Sequence, residues 1–234
     1  MRECLRQVAR TASSPGGWSW TRVAAAWGEA ATDAVPELVA LLRHESTWRW
    51  AAQALAELGP AGSAATKALH RRANRSRDAA WAYWRVSGDA AALIAACDRD
   101  LRPNAPHLAF RQAADLGPLA GRHRDLFRQT AASGSAWSRV EAARACWTTE
   151  GDATTALSTL SEVIQPLTAG TYDPISLTAL RYLTALGPAA APAVPIAEAV
   201  LASPHRYAHF GGWRIYIEDE TLRTAARELL HAAG

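Results

Sequence analysis

The chain repeats itself. Asp78-Ala79-Ala80, followed by Trp84 and Gly88-Asp89, returns 63 positions later as Glu141-Ala142-Ala143, Trp147 and Gly151-Asp152. A second series interleaves with it: Leu-Gly-Pro stands at Leu58-Gly59-Pro60, Leu116-Gly117-Pro118 and Leu186-Gly187-Pro188, at spacings of 58 and 70. Each interval is close to twice a helix-pair unit, and that period is the signature of a helical solenoid. The expected fold is therefore all-α, a right-handed α-solenoid of about six antiparallel helix pairs closed by a C-terminal helix.

The local pattern supplies the helices. Apolar residues at helical spacing predict a terminal helix over 2–12, then pairs over 20–31 and 35–43, 48–57 and 61–72, 77–86 and 90–101, 107–115 and 119–131, 138–148 and 153–167, and 176–185 and 189–202. A lone helix over 218–232 ends the array. The glycine at each break suits a left-handed helix cap, the following proline forbids continuation, and Asp89 and Asp152 are N-caps for the next helix. Two stretches break the pattern: a Ser/Pro/Gly turn over 13–17 and a long aromatic and basic loop over 203–217. A repeat array is quasi-one-dimensional, so 1–234 reads as a single domain.

The segment Pro36-Glu37-Leu38-Val39-Ala40-Leu41-Leu42 with Trp50-Ala51-Ala52-Gln53-Ala54-Leu55-Ala56-Glu57-Leu58-Gly59-Pro60 resembles the HEAT repeat, including the short bacterial variety of phycobilisome lyases. The family's basic residue at the start of the outer helix is matched by Arg49, but Asp78, His107 and Leu177 occupy the aligned positions, so the repeats are degenerate. The resemblance implies stacked antiparallel helix pairs with a concave inner face. It implies no single activity, because members scaffold, bind nucleic acid or occasionally catalyse.

Composition narrows the function classes. The net charge is +3, and Lys67 is the one lysine among 25 basic residues. Arginine grips carboxylate and phosphate bidentately, but so strong a bias toward it also fits a high-GC coding sequence. Cys4, Cys97 and Cys146 are odd in number without CxxC spacing, which argues against a disulfide framework or structural zinc. No apolar run is long enough for a bilayer and the N-terminus lacks a secretory segment, so the expected compartment is the cytoplasm. No nucleophile elbow or phosphate-binding glycine loop is present, and a single His44-Glu45 pair falls short of the several that a HEAT-type di-iron centre uses. Neither a cofactor nor a metal is expected.

Three constellations remain. The segment from His205 to Tyr216 holds His205, Arg206, Tyr207, Phe210, Trp213 and Arg214 in one connection, and long connections of this kind carry function or wrap the array as a cap. Trp81 joins this candidate partner-binding set, because its repeat counterpart is Arg144: it faces solvent or a ligand, or marks a locally deeper core. Trp84 and Trp147 occupy equivalent positions and read as core packing. Second, Lys67, Arg71 and Arg72 on one inner helix, and Arg122, Arg124 and Arg128 on another, form a candidate anion or nucleic-acid groove. Asp78 beside Trp81 and Trp84 loosely matches the aspartate and tryptophans of HEAT-like alkylpurine DNA glycosylases. Third, Trp48 and Trp50 flank Arg49, and Trp18 and Trp20 follow a Gly-Gly turn; this cluster grips a base, cation or peptide, or covers the end of the stack. The function that follows is a non-catalytic scaffold for a protein or peptide partner, with nucleic-acid binding, and lyase- or chaperone-like action on a prosthetic group or modified peptide, as alternatives.

Overall fold

The computed structural model describes residues 32–209 and 211–234; the expected helices over 2–12 and 20–31 and the turn over 13–17 lie outside these. The described residues are helical or irregular, with no strand. They fall into two compact units, the first ending at Asp100 and the second starting at Leu101.

In the first unit, α1 (Val35–Leu41) starts on Pro36, whose missing N–H costs nothing in a first turn. It is followed by α2 (Trp48–Leu58), α3 (Thr66–Ala73), α4 (Arg77–Ser87) and α5 (Ala91–Asp100). Helix α4 is the hub, packing on α2, α3 and α5. Ala51, Ala52, Ala54 and Ala56 on α2 and Ala79, Ala80 and Ala82 on α4 are all fully buried, so their backbones approach closely. Leu38, Leu55, Leu69 and Leu93 fill the spaces this leaves, each fully buried side chain contributing about 1.5–3 kcal/mol of transfer free energy.

The second unit runs through α6 (His107–Asp115), α7 (Arg124–Ser133), α8 (Ala136–Glu150), α9 (Ala153–Ile164), α10 (Pro174–Ala185), α11 (Val194–Ala202) and α12 (Arg214–Ala233). Helix α8 packs against α6, α7 and α9, and α12 closes over α10 and α11. Phe110 and Phe127 meet edge to face at 6.4 Å inside this unit, in the orientation that ring quadrupoles favour.

The two kinds of break alternate along the chain and differ in structure. Gly88 (φ 79, ψ −8) and Gly151 (φ 71, ψ 17) are left-handed caps. The aspartate after each then accepts a backbone N–H of the next helix, Asp89 from Ala91 and Asp152 from Thr155, both at 3.0 Å. At the Leu-Gly-Pro breaks the geometry is another one. Gly59 has φ 57 with ψ −136, outside the left-handed well, and Leu119 N–H closes a four-residue turn onto Leu116 C=O around Gly117 (φ 56). A positive φ at the first central position followed by proline is a type II′ arrangement.

The chain leaves each such turn as a 3-10 segment: Gly59–Ala65, Gly117–His123 and Gly187–Ala193. The inner α-helices expected from 61, 119 and 189 therefore begin only at Thr66, Arg124 and Val194. Small residues permit the tighter coil to press on its neighbours. A methyl group on Gly62 would stand 3.3 Å from both Leu55 C=O and Val86 Cγ2.

Tryptophan burial follows the repeat argument only in part. Trp81 is only 7% exposed, whereas Trp84 and Trp147 are half-buried. Trp81 thus belongs to the locally deeper core, and so covered a ring offers a partner little surface. Its counterpart Arg144 is half-buried too, held by Asp115.

Candidate functional site

The 203–217 connection is shorter than its composition suggests, because α12 starts at Arg214 after Gly212 (φ 73) and takes 214–217 into its first turn. What precedes it is pinned. Arg223, in the third turn of α12, donates to the carbonyls of Val200, Leu201, Ser203 and His205 and pairs with the buried Asp219 at 3.1 Å. Asp219 in turn accepts the backbone N–H of Tyr207 and pairs with Arg206. Tyr207 is 1% exposed and donates its hydroxyl proton to Leu167 C=O at 2.9 Å. It is the anchor of the connection, not a contact residue for a partner. Phe210 lies outside the described residues.

Above this anchored base, Trp213, Tyr216 and Ile217 are 69%, 61% and 55% exposed. Their spacing of three and four residues puts them on one face of α12's first turn. Two cations frame the face: the Arg206 guanidinium lies 4.4 Å from the centre of the Tyr216 ring and that of Arg214 lies 5.9 Å from Trp213. His205 and His209 are exposed beside it, and His209 N–H donates to Glu218. The structure therefore joins His205, Arg206, Trp213 and Arg214 in one patch and adds Tyr216 and Ile217. Helical periodicity carried past Glu218 toward the N-terminus would have found those two.

The candidate anion groove divides. Lys67, Arg71 and Arg72 belong to α3 in the first unit, and Arg122, Arg124 and Arg128 to the second. Arg128 is neutralised at home, 2.7 Å from Glu150, 3.5 Å from Asp152 and 3.9 Å from Asp125. Arg124 also sits 3.9 Å from both Asp125 and Glu150. Asp78, the glycosylase-like carboxylate, stands 3.9 Å from Arg49 while its would-be partner Trp81 is packed in the core.

A buried polar network escaped the sequence. Arg144 pairs with Asp115, donates to Arg111 C=O and lies 5.2 Å over the Tyr182 ring, and Tyr182 donates its hydroxyl to the buried Glu141 at 2.9 Å. Burial pushes the Glu141 carboxyl above its ordinary value, with the Tyr182 hydroxyl and Arg111 and Arg144 pulling the other way. Burial likewise raises the Tyr182 phenol, and the nearby Glu141 charge adds to the rise. The adjoining cavity, about 190 Å³ and lined by Arg144, Trp147, Leu160 and Tyr182, is small beside an ordinary ligand pocket.

The trough beside α9 and the two described cysteines offer little chemistry. A broad, open trough of about 640 Å³ beside α9 is lined by Thr154, Ser158, Ser161, Gln165, Pro195 and other side chains, none of them titratable. Burial pushes the Cys97 and Cys146 thiols up to about 11 and about 12, which leaves them protonated and unreactive at neutral pH. Among the described residues no three His, Cys, Asp or Glu side chains are grouped so as to hold a metal ion, and no helix is long and apolar enough to cross a membrane. The chain matches no protein-family model, no curated protein and no solved structure.

Proposed function

We propose that this protein is a cytoplasmic helical-repeat binding protein of the HEAT kind, non-catalytic, whose helix pairs stack as a right-handed solenoid. The alternation of Leu-Gly-Pro and Gly-Asp breaks supports the repeat reading, since each kind of turn recurs with its own backbone geometry. Its partner is a protein segment that carries apolar side chains next to carboxylates.

One observation carries this reading: Trp213, Tyr216 and Ile217 share an exposed helical face on a base immobilised by Tyr207, Asp219 and Arg223. Large apolar side chains clustered on a rigid support are the anchors that binding hot spots use, and Arg206, still 54% exposed although paired with Asp219, and Arg214 put positive charge at the edge of the face, which favours an acidic complement. A nucleic-acid groove over Lys67, Arg71, Arg72, Arg122, Arg124 and Arg128 has weaker support, because Arg124 and Arg128 already face Asp125, Glu150 and Asp152.

Peptide display tests the proposal. Panning a random library on the full chain should enrich sequences that pair aromatic or aliphatic residues with Asp or Glu. Trp213→Ala should weaken their binding by at least about 2 kcal/mol, roughly thirtyfold, while leaving the urea midpoint in place. Enrichment of basic peptides, or binding indifferent to Trp213→Ala, would refute it.

A further inference from the structure

A second cleft, in the first unit, carries positive charge that the described residues leave in part unpaired. It measures about 370 Å³ and is lined by Arg49, Arg71, Arg72, Arg75, Glu45 and Trp48, with Ser76 at its edge. Trp48 is nearly buried and forms the floor, with the Arg49 and Arg72 guanidinium groups 5.4 and 5.1 Å from its ring centre. Those two arginines have acidic partners: Arg72 donates to Glu45 at 2.7 Å, and Arg49 stands 3.9 Å from Asp78. Arg71 and Arg75 are exposed, and neither side chain makes a hydrogen bond or ion pair among the described residues.

The balance decides what fits. Among the described residues, four guanidinium groups against Glu45 and Asp78 leave two positive charges without a carboxylate partner. Cations at the end of α3 offset the helix dipole, but that end carries only about half an elementary charge, so it accounts for a fraction of one arginine. Arg71, in the last turn of α3, and Arg75, in the turn that follows the helix, both line the cleft, and each presents a planar fork of N–H donors. A tetrahedral dianion accepts such forks bidentately, and Arg–phosphate pairs of this kind are the strong, charge-assisted ones. The volume is at the lower end of small-molecule sites and exceeds a bare phosphate, which leaves room for a short carbon skeleton.

We propose that this cleft binds a phosphate dianion, as a phosphomonoester of a small polar molecule, with the phosphoryl group held between Arg71 and Arg75. The cleft belongs to the first unit and the aromatic patch on α12 to the second, and they share no residue, so failure of the one reading would leave the other untouched.

Isothermal titration of the full chain at low salt tests it with three probes: inorganic phosphate, glycerol 3-phosphate and glycerol. Saturable binding is expected for both phosphates, tighter for the ester if the skeleton is read and equal if phosphate alone is, with no heat from glycerol. The double variant Arg71→Ala/Arg75→Ala should weaken binding at least roughly tenfold with an unchanged circular dichroism spectrum. The variant Arg71→Lys/Arg75→Lys, which keeps charge but loses the forks, should recover part of the loss. No saturation with millimolar phosphate, equal affinity in the double alanine variant, or binding of a short single-stranded oligonucleotide that phosphate fails to displace would overturn the assignment.

Discussion

Replacing Gly59 tests the turn that the Leu-Gly-Pro series encodes. At φ 57 and ψ −136 an L-residue meets its own backbone, and positions strained in this way cost about 1–3 kcal/mol. No tertiary clash adds to this, since a Cβ at Gly59 would lie 3.8 Å from its nearest neighbour, Arg85 C=O. The entropy that alanine removes from the unfolded chain returns about 0.4–1 kcal/mol, leaving a net loss near 1–2 kcal/mol for Gly59→Ala. With a urea slope of about 2 kcal/mol/M, the middle of the usual range, the midpoint should fall by about 0.5–1 M. Asparagine is the discriminating substitution. It enters the left-handed well readily, so Gly88→Asn (φ 79, ψ −8, with open space around its Cβ) should cost only a few tenths of a kcal/mol, whereas Gly59→Asn should cost as much as Gly59→Ala. Equilibrium unfolding followed by far-ultraviolet circular dichroism reads both. Equal shifts at the two sites, or none at Gly59, would refute the assignment of two different turn geometries.

Other substitutions probe the packing and the polar network. Tyr207→Phe should lose about 0.5–1.5 kcal/mol, the net worth of one hydrogen bond, since Leu167 C=O keeps the Gly170 N–H, and make the 203–213 connection more sensitive to limited proteolysis, and unaltered cleavage would count against its role as anchor. Trp81→Ala should cost about 3–5 kcal/mol in urea unfolding, and Trp147→Ala less, because its ring is already partly exposed. The raised Glu141 pKa means that the native state holds a proton that the unfolded chain releases near pH 4.3. Stability from this group is therefore present below that pH and is lost as pH rises through the folded value. The midpoint of wild type minus that of Glu141→Gln should fall with rising pH across this window, and a difference that grows with pH would contradict the burial argument.

Much of the helix order was legible because it is written locally. Glycine and proline punctuate the chain, the aspartate caps follow them, and α2, α4 and α6 start where apolar spacing places them. The 3-10 segments were not, since whether a coil after proline takes i to i+3 or i to i+4 bonds is settled by how closely residues such as Leu55 and Val86 press on Gly62. Trp84 and Trp147 share a repeat position and are both half-buried, but how deep a position lies depends on which helix covers it, and that information lies outside the motif. The same holds for the anchor and the network: Tyr207 finds Leu167 and Glu141 finds Tyr182 across 40 and 41 residues, distances at which no short pattern speaks. The basic residues were visible at once; which of them are spent on carboxylates was not, as the contrast between Arg128 and Arg71 illustrates.

The central claim is that a partner docks on the first turn of α12. Hydrogen–deuterium exchange of the full chain, alone and saturated with a display-selected acidic peptide, addresses it directly. The account predicts slowed exchange over 211–220 with α3 unchanged. Protection confined to α3 and the turn after it, or none near Trp213, would contradict it.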